Sequence, residues 1–289
     1  MGFIGGSITQ GFAATEPDKC YAARTVAWLR KVFPNTEFDY VNAGIGATNS
    51  QFSAARVQED LLCRLPDLVM VEFSVNDHCT PHDMETYEGL IRQIYGSRSC
   101  PAMVLLHSVY YDTGKSAAYY HAQIGRHYDL PCISMQNSIY PAVAAGRLPA
   151  EKITADFLHP NDLGHEFMAS VITNFLEKVI HDKTQEQQEI FPAPLTENAY
   201  EHCARLQYFN STPGRSGFEE DMTPQRDITD IFRNGWSAGE KGAYLEFTFR
   251  GTGAAVQYRR VKDGPAPIAT AVVDENSETA CVLDGTFDE

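Results

Sequence analysis

The sequence predicts an α/β fold: a three-layer domain built on a parallel sheet, followed by a smaller C-terminal β module. In the first part of the chain, short and uninterrupted apolar runs alternate with amphipathic stretches of helical length. Such runs are typical of strands that are buried on both faces of a parallel sheet. Beyond about Ile190, strand-like runs are separated by Gly-rich turns, which is typical of antiparallel strands.

Five runs predict the strands of the sheet, because each is short, continuous and rich in Val, Ile, Leu or Phe. They are Gly2–Gly5, Phe38–Ala43, Leu68–Phe73, Met103–His107 and Pro131–Met135. Helices are predicted where apolar residues recur at helical spacing between and after these strands. They are Tyr21–Val32, Gln51–Arg64, Met84–Tyr95, Ser116–Tyr128 and Leu163–His181. Strands that alternate with helices through right-handed crossovers give one sheet covered by helices on both faces.

The polar run Lys183–Glu189 has no apolar periodicity and predicts a boundary between two domains, residues 1–183 and residues 190–289. The second domain is predicted to be a β-rich accessory module of the sandwich or jelly-roll type. Its candidate strands are Tyr244–Phe249, Ala254–Tyr258, Ile268–Val273 and Ala280–Leu283. The last strand stops near the end of the chain and leaves an exposed edge. The module is therefore expected to be either incomplete or completed by another copy of the chain in a homo-oligomer.

The acidic composition disfavours two classes of partner. There are 38 Asp and Glu against 23 Lys and Arg, whereas nucleic acid and anionic membranes attract clustered positive charge. The 7 cysteines are scattered without a C-x-x-C pair, so neither a zinc site nor a disulfide framework is expected. Reduced thiols favour a cytoplasmic location. No signal peptide or membrane-spanning run is visible, although a chain that begins directly in a strand leaves open an export signal on a longer precursor.

A serine directly follows the first predicted strand. Gly5 and Gly6 permit a tight turn that exposes the side chain of Ser7. A helix beginning there would direct its N-terminal N–H groups at the same place. A serine in this position is suited to attack a carbonyl carbon, and the alternative is a glycine turn without a chemical role.

Asp156 and His159 are three residues apart, on a predicted loop before the last helix. At this spacing the Asp156 carboxylate can orient the His159 imidazole as a neutral base. Such a base takes a proton from a serine and later donates it to a leaving alkoxide. The alternative is an Asx-turn that leads into the helix, with Asn161 or Asp162 as its cap.

Two further segments close predicted strands with groups that can stabilise an oxyanion. Asn76 follows the third strand and can offer its side-chain amide. In Asn42–Thr48, which closes the second strand, a glycine can donate its backbone N–H and permit close approach of a substrate. Each segment has an alternative as a plain turn. Because loops at the carboxyl ends of parallel strands share one crevice, these segments are expected to converge with Ser7 and with the loop Asp156–His159.

In order and spacing, these segments resemble blocks I, II, III and V of the SGNH (GDSL-like) hydrolase superfamily. The matching segments are Gly5–Ile8, Asn42–Thr48, Ser74–Asp77 and Asp156–His159, within about the first two-thirds of the chain. The resemblance implies a flavodoxin-like sheet. It also implies a catalytic triad in which Ser7 is the nucleophile, His159 is the base and Asp156 orients the base.

The resemblance further implies an oxyanion hole made of the Ser7 N–H, the Gly46 N–H and the Asn76 side chain, with Gly44 as the fallback for Gly46. Two positions depart from the family pattern. The family often has Asp where this chain has Gly6, and Gly where this chain has Ser74. Neither position belongs to the triad, so activity is still expected.

The function implied by the resemblance is hydrolysis of small acyl esters, above all acetyl esters, on a carbohydrate and without a cofactor. Relatives with an appended β domain are similar to carbohydrate acetylesterases, which is an argument from fold alone. The alternatives are a lipid or thioester hydrolase of the lysophospholipase kind, with a long apolar pocket, and a non-catalytic carbohydrate-binding protein. His78 and Tyr110 follow the third and fourth strands and are expected to contact a small-molecule or oligosaccharide substrate, with packing as the alternative for Tyr110. His78 and His82 flank Cys79, but no further ligand has metal spacing, so no metal is expected.

Overall fold

The computed structural model describes residues 1–182, 191–223 and 231–287. It divides the chain into two compact units, Met1–Arg205 and Leu206–Glu289. The domain boundary expected from the sequence lay at residues 183–190, and the linker Lys183–Glu189 falls outside the described residues. Residues 191–205 therefore lie with the first unit and not with the β module.

Buried charges on one helix explain why this connecting segment packs on the first unit. Glu88 accepts hydrogen bonds from the backbone N–H groups of Leu195, at 2.6 Å, and Thr196, at 2.7 Å. Arg92 donates from Nε to a carboxylate oxygen of Glu201 at 2.7 Å. These polar partners follow no helical or strand period, which is why the sequence did not assign the segment to the first unit.

The first unit contains a sheet of five parallel strands in the order β2-β1-β3-β4-β5, which confirms the predicted α/β class. The strands are β1 Gly2–Gly5, β2 Val41–Gly44, β3 Leu68–Glu72, β4 Ala102–His107 and β5 Cys132–Ser134. Gly2 is the register partner of both Val41 and Val69, so β1 lies between β2 and β3. The carboxyl ends of these three strands therefore meet at one edge of the sheet.

The helices begin where side chains cap their free N–H groups. Asn49 accepts from the backbone N–H of Phe52, and Asn161 accepts from those of Leu163 and Gly164. The predicted helix Gln51–Arg64 is divided, because the α-helix stops at Asp60 and a 3₁₀-helix follows over Leu62–Arg64. The α-helices are α1 Ser7–Gln10, α2 Tyr21–Val32, α3 Ser50–Asp60, α4 Pro81–Tyr95, α5 Ala118–His127, α6 Met135–Ser138, α7 Tyr140–Ala144 and α8 Asp162–His181.

The core lies on both faces of the sheet. Phe3, Met70 and Leu106 are fully buried in a cluster that includes residues of α2 and α8. Ile4 and Val71, which point to the opposite face, are equally buried. Burial on both faces is the reason why these strands are continuous apolar runs in the sequence. None of the helices within residues 1–182, 191–223 and 231–287 combines the length and apolar character that a membrane span requires.

The second unit is built from antiparallel strand pairs, which confirms a smaller β module. The pairs are β6 Gly214–Ser216 with β9 Tyr244–Glu246, β7 Glu219–Glu220 with β8 Trp236–Ser237, and β10 Ile268–Val273 with β11 Asn276–Asp284. The predicted strand Ala254–Tyr258 is wrong. Residues 251–260 are exposed and pair with no strand among the described residues, and an isolated apolar run without a face to cover does not hold a strand. Completion of the module by a second copy of the chain stays a prediction.

Candidate active site

Ser7 lies where β1 ends and is the first residue of the short helix α1. Close packing requires the two glycines before it. A Cβ on Gly5 would lie 2.1 Å from Thr9 Oγ1, and one on Gly6 would lie 2.2 Å from Asn76 Oδ1. The Asn76 side chain thus occupies the space that a Cβ on Gly6 would need. The turn admits no side chain before Ser7 and presents the serine at the carboxyl edge of the sheet.

The triad side chains predicted from the sequence lie within hydrogen-bonding distance of one another. Ser7 Oγ is 2.8 Å from His159 Nε2, and His159 Nδ1 is 2.6 Å from Asp156 Oδ2. An ionised carboxylate can only accept, so Nδ1 carries the proton and donates it to Asp156. Nε2 is then the acceptor for the Ser7 hydroxyl, in the order that proton transfer requires. The roles of these residues in turnover stay predictions.

The second carboxylate oxygen of Asp156 stabilises the loop itself. Oδ1 accepts from the backbone N–H of Leu158 at 3.1 Å and of His159 at 2.7 Å, which forms an Asx-turn. The turn expected as the alternative to catalysis is therefore present, and one carboxylate serves both arrangements. Partial burial raises the pKa of Asp156, but the hydrogen bonds from His159 and Leu158 outweigh it and hold this pKa below its ordinary value. Asp156 is thus ionised at neutral pH.

The middle of this loop is strained. Phe157 has a left-handed backbone, with φ at 65°, which is unfavourable for a bulky residue. Its N–H donates to Thr154 Oγ1 at 3.1 Å, and its carbonyl oxygen accepts from the Tyr111 N–H at 2.7 Å. Hydrogen bonds on both sides hold the conformation in which Asp156 and His159 face each other.

A further connection joins the segment after Ser7 to the helix after His159. Asp162, the first residue of α8, accepts from the Thr15 backbone N–H at 2.8 Å and from Lys19 Nζ at 3.0 Å. The backbone hydrogen bond, with those from the Thr15 hydroxyl and Lys19, lowers the pKa of Asp162 to about 2. Asp162 is therefore ionised at neutral pH, and its hydrogen bonds link the segment after Ser7 to the start of α8.

The structure places Gly46, and not the fallback Gly44, beside the serine. A Cβ on Gly46 would lie 3.6 Å from Ser7 Cβ. Gly44 is buried in β2, where a Cβ would lie 2.2 Å from the backbone nitrogen of Gln10, and its N–H donates to Asn42 Oδ1. The Gly46 N–H donates to the side-chain oxygen Oε1 of Gln10 at 2.7 Å.

Asn76 is held over Gly6 by a tight turn and by a buried contact between its neighbour Asp77 and His121. The backbone N–H groups of Asn76 and Asp77 both donate to the Phe73 carbonyl oxygen, at 3.0 and 2.8 Å. The buried Asp77 carboxylate is 3.0 Å from His121 Nε2 and accepts from the Ser50 N–H at 2.9 Å. Among the described residues, no hydrogen bond involves Asn76 Nδ2, and the buried Asn76 Oδ1 also has no partner.

The two residues expected to contact the substrate differ in placement. Tyr110 donates its hydroxyl to the Val75 carbonyl oxygen at 3.3 Å, so it supports the loop that carries Asn76. His78 is exposed and makes no side-chain hydrogen bond with the described residues. In those ranges, no group of three or more His, Cys, Asp and Glu side chains could hold a metal ion.

Three residues around the site were missed in the sequence. Gln10 is three residues after Ser7, a spacing that places two side chains on one helical face and that could have revealed it. Phe12 is 57% exposed, and its ring centroid lies 4.6 Å from that of His159. The pairing of His121 with Asp77 spans 44 residues and left no local signal.

A buried carboxyl group lies beneath the site at the end of β3. Glu72 Oε1 accepts from the Ser74 N–H at 3.2 Å and from the Ser74 hydroxyl at 3.1 Å, while Oε2 has no partner among the described residues. Burial raises the pKa of Glu72 to about 7, although the hydrogen bonds from Ser74 oppose this shift. The group that replaces the family's usual glycine, Ser74, is thus fixed to a carboxyl that titrates near neutral pH.

Glu72→Gln is expected to remove a loss of stability at alkaline pH. The unfolded chain releases this proton near the ordinary Glu pKa of 4.5, whereas the folded protein keeps it up to about 7. Stability therefore falls as pH rises between these values, by about 3 kcal/mol in all, and the loss is complete above them. The free energy of unfolding in urea is measured for both proteins at pH 5 and at pH 8.5. Between these two pH values, the wild type should lose stability relative to the variant by an amount of that order.

Buried histidines also make stability depend on pH, but their contribution cancels when wild type is compared with Glu72→Gln. Burial lowers the pKa of His107 to about 3 and that of His165 to about 4, and both residues are present in wild type and variant alike. Parallel changes in stability with pH for Glu72→Gln and wild type would contradict a raised pKa at Glu72.

Comparisons with known proteins identify a family and several similar structures. A model described as "GDSL-like Lipase/Acylhydrolase family" matches residues 3–167. No curated protein matches the chain.

Several solved structures are similar. A two-domain esterase (CEX) active on acetylated mannans is 49% identical, with a TM-score of 0.92, over 100% of this chain and 78% of that chain. A structure of such an esterase with mannopentaose is 48% identical, with a TM-score of 0.90, over 100% of this chain and 77% of that chain. A variant of Axe2, an acetyl xylan esterase from Geobacillus stearothermophilus, is 20% identical, with a TM-score of 0.52, over 64% of this chain and 96% of that chain. At that identity the likeness shows the fold alone.

Proposed function

The chain belongs to the GDSL-like lipase/acylhydrolase family, and from this premise we propose that it is a serine esterase that removes acetyl groups from a carbohydrate. One observation carries the proposal: Ser7 Oγ lies 2.8 Å from His159 Nε2, and Asp156 holds the opposite nitrogen of the ring. A hydroxyl, a base and an orienting carboxylate in this arrangement suit acyl transfer.

In the first step, Ser7 Oγ attacks the ester carbonyl carbon while His159 Nε2 takes the hydroxyl proton. The imidazolium that forms is stabilised by the ionised Asp156. The carbonyl oxygen becomes an oxyanion, which accepts hydrogen bonds from the Ser7 N–H, the Gly46 N–H and Asn76 Nδ2.

In the second step, the tetrahedral intermediate collapses. The bond from carbon to the leaving sugar oxygen breaks, and His159 donates its proton to that oxygen, which leaves an acetyl group on Ser7. Water then attacks the acetyl carbonyl, His159 takes a proton from the water, and the proton returns to Ser7 Oγ as acetate leaves. Apart from the attacking water, each proton transfer and each hydrogen bond to the oxyanion in this cycle is assigned to a group of this chain.

The proposed substrate class is an acetylated mannan. This rests on 49% identity, over 100% of this chain, to an esterase active on acetylated mannans. Phe12 adds a local argument, because its exposed ring beside His159 offers an apolar surface that can face the C–H groups of a sugar. A lipid or thioester hydrolase and a non-catalytic binding protein are the alternatives. The assembled triad favours an enzyme over a binder.

Acetate release from acetylated mannan oligosaccharides, followed alongside 4-nitrophenyl acetate, butyrate and octanoate, tests the proposal. We expect release of acetate from the mannan and a rate with the acetyl ester above that with octanoate. Faster octanoate hydrolysis would shift the assignment to a lipid hydrolase. Absence of turnover with every ester would favour a carbohydrate-binding protein.

A further inference from the structure

We propose that Gln10 is a gating residue of the oxyanion hole: its side-chain amide oxygen occupies the Gly46 N–H in the resting enzyme and is displaced by the carbonyl oxygen of the substrate. This inference rests on the proposed function. Gly46 N–H donates to Gln10 Oε1 at 2.7 Å, and a Cβ on Gly46 would lie 3.6 Å from Ser7 Cβ. An amide carbonyl oxygen thus already lies on a donor that an ester carbonyl oxygen needs.

The side chain of Gln10 is free to leave. It is the last residue of α1, it is exposed, and the bond to Gly46 is its side chain's sole hydrogen bond to the described residues. Gly11, which follows it, has φ at 93° and ends the helix. An exposed glutamine held by one hydrogen bond changes rotamer readily, because water replaces that bond at little cost.

The turn that carries Gly46 does not depend on Gln10. Ile45 N–H donates to the Gly5 carbonyl oxygen at 3.0 Å, and the Thr48 hydroxyl donates to the Ile45 carbonyl oxygen at 2.7 Å. These bonds fix the turn from both sides of Gly46. Removing the glutamine oxygen should therefore leave the Gly46 N–H in place and expose it to water.

The two other proposed oxyanion donors lack such an occupant. Asn76 Nδ2 has no acceptor among the described residues, and no acceptor lies on the backbone N–H of Ser7 there. A substrate carbonyl can thus approach from the side of Ser7 and Asn76 and displace Gln10 last. Substrate binding must break the hydrogen bond between Gln10 and Gly46, which an enzyme with an unoccupied Gly46 N–H would not have to do. The cost of the gate is therefore the net free energy of that one intramolecular hydrogen bond.

Three substitutions separate the hydrogen bond from the bulk of the side chain. Gln10→Met keeps the length and removes the acceptor, Gln10→Ala removes both, and Gln10→Glu strengthens the acceptor and adds a negative charge near the oxyanion. With 4-nitrophenyl acetate we expect kcat/KM to rise about 3- to 10-fold in Met and Ala variants. We expect a fall of about 10-fold or more in the Glu variant.

A binding measurement with acetate ion gives a readout that does not need turnover. A carboxylate oxygen of acetate competes with Gln10 for the Gly46 N–H, so acetate should shift the Gly46 amide resonance at a lower concentration in Gln10→Met than in wild type. If kcat/KM falls in the Gln10→Met and Gln10→Ala variants, Gln10 supports the oxyanion loop, and the proposal that it is a gate is wrong. Unchanged acetate affinity and unchanged kcat/KM would also overturn it. A wild type without esterase activity would contradict the proposed function, while the acetate titration would still decide the gate.

Discussion

Ser7→Ala is expected to lower kcat for acetyl-ester hydrolysis by about 10⁶-fold. The variant loses the oxygen that attacks the carbonyl carbon, which wild type holds 2.8 Å from His159 Nε2. A water molecule in its place is not held in the orientation that attack requires. Hydrolysis that remains would come from the oxyanion donors and from substrate binding alone.

The measurement is kcat with 4-nitrophenyl acetate and with acetylated mannan, paired with thermal unfolding. Ser170→Ala is the matched control, because it makes the same chemical change at an exposed serine on α8. We expect Ser170→Ala to keep wild-type kcat, and both variants to unfold near the wild-type temperature. A Ser7→Ala enzyme with more than a few percent of wild-type kcat would place the nucleophile elsewhere.

His159→Ala should resemble Ser7→Ala, and the double variant should lose little more. Groups that act as a unit are not additive, because the hydroxyl without its base is already inactive. The kcat of the double variant distinguishes the two possibilities. If Ser7 and His159 contributed independently, the double variant would lose the product of the two single losses.

Much of the fold could be predicted because burial on both faces gives a strong local pattern. Gly2–Gly5, Tyr21–Val32 and Ile268–Val273 have the bounds that the sequence predicts. The strand expected over Phe38–Ala43 is shorter, since it begins at Val41 where pairing with β1 begins. Strand limits depend on the partner strand, and a single run of sequence does not contain that information.

The positions of Ser7, Asp156 and His159 could be predicted because each lies next to a recognisable turn or helix start. The hydrogen bonds that support these residues and the oxyanion donors could not be predicted. Asp77 binds His121 across 44 residues, and Gln10 binds Gly46 across 36. Such pairs depend on which side chains the sheet order brings together. A polar residue in the sequence indicates only that a partner is needed.

Asp156→Asn is expected to lower kcat by about 10⁴-fold, although the side chain keeps its shape. In wild type, both oxygens of Asp156 accept: Oδ1 from the backbone N–H groups of Leu158 and His159, and Oδ2 from His159 Nδ1. Asparagine has one oxygen. The backbone N–H groups of Leu158 and His159 are fixed by the turn and donate to this oxygen. The NH₂ group of the asparagine therefore faces the ring.

An NH₂ group beside His159 Nδ1 reverses the tautomer of the ring. Nδ1 must then accept, the proton moves to Nε2, and Nε2 can no longer take the proton of Ser7. Asp156→Asn should therefore be no less harmful than Asp156→Ala, which leaves the ring free to choose its tautomer. Asp39→Asn, at an exposed residue just before β2, is the matched control and should keep wild-type kcat. A kcat of Asp156→Asn within 10-fold of wild type would contradict this role. It would show that the carboxylate only forms the turn and that His159 keeps its proton on Nδ1 without it.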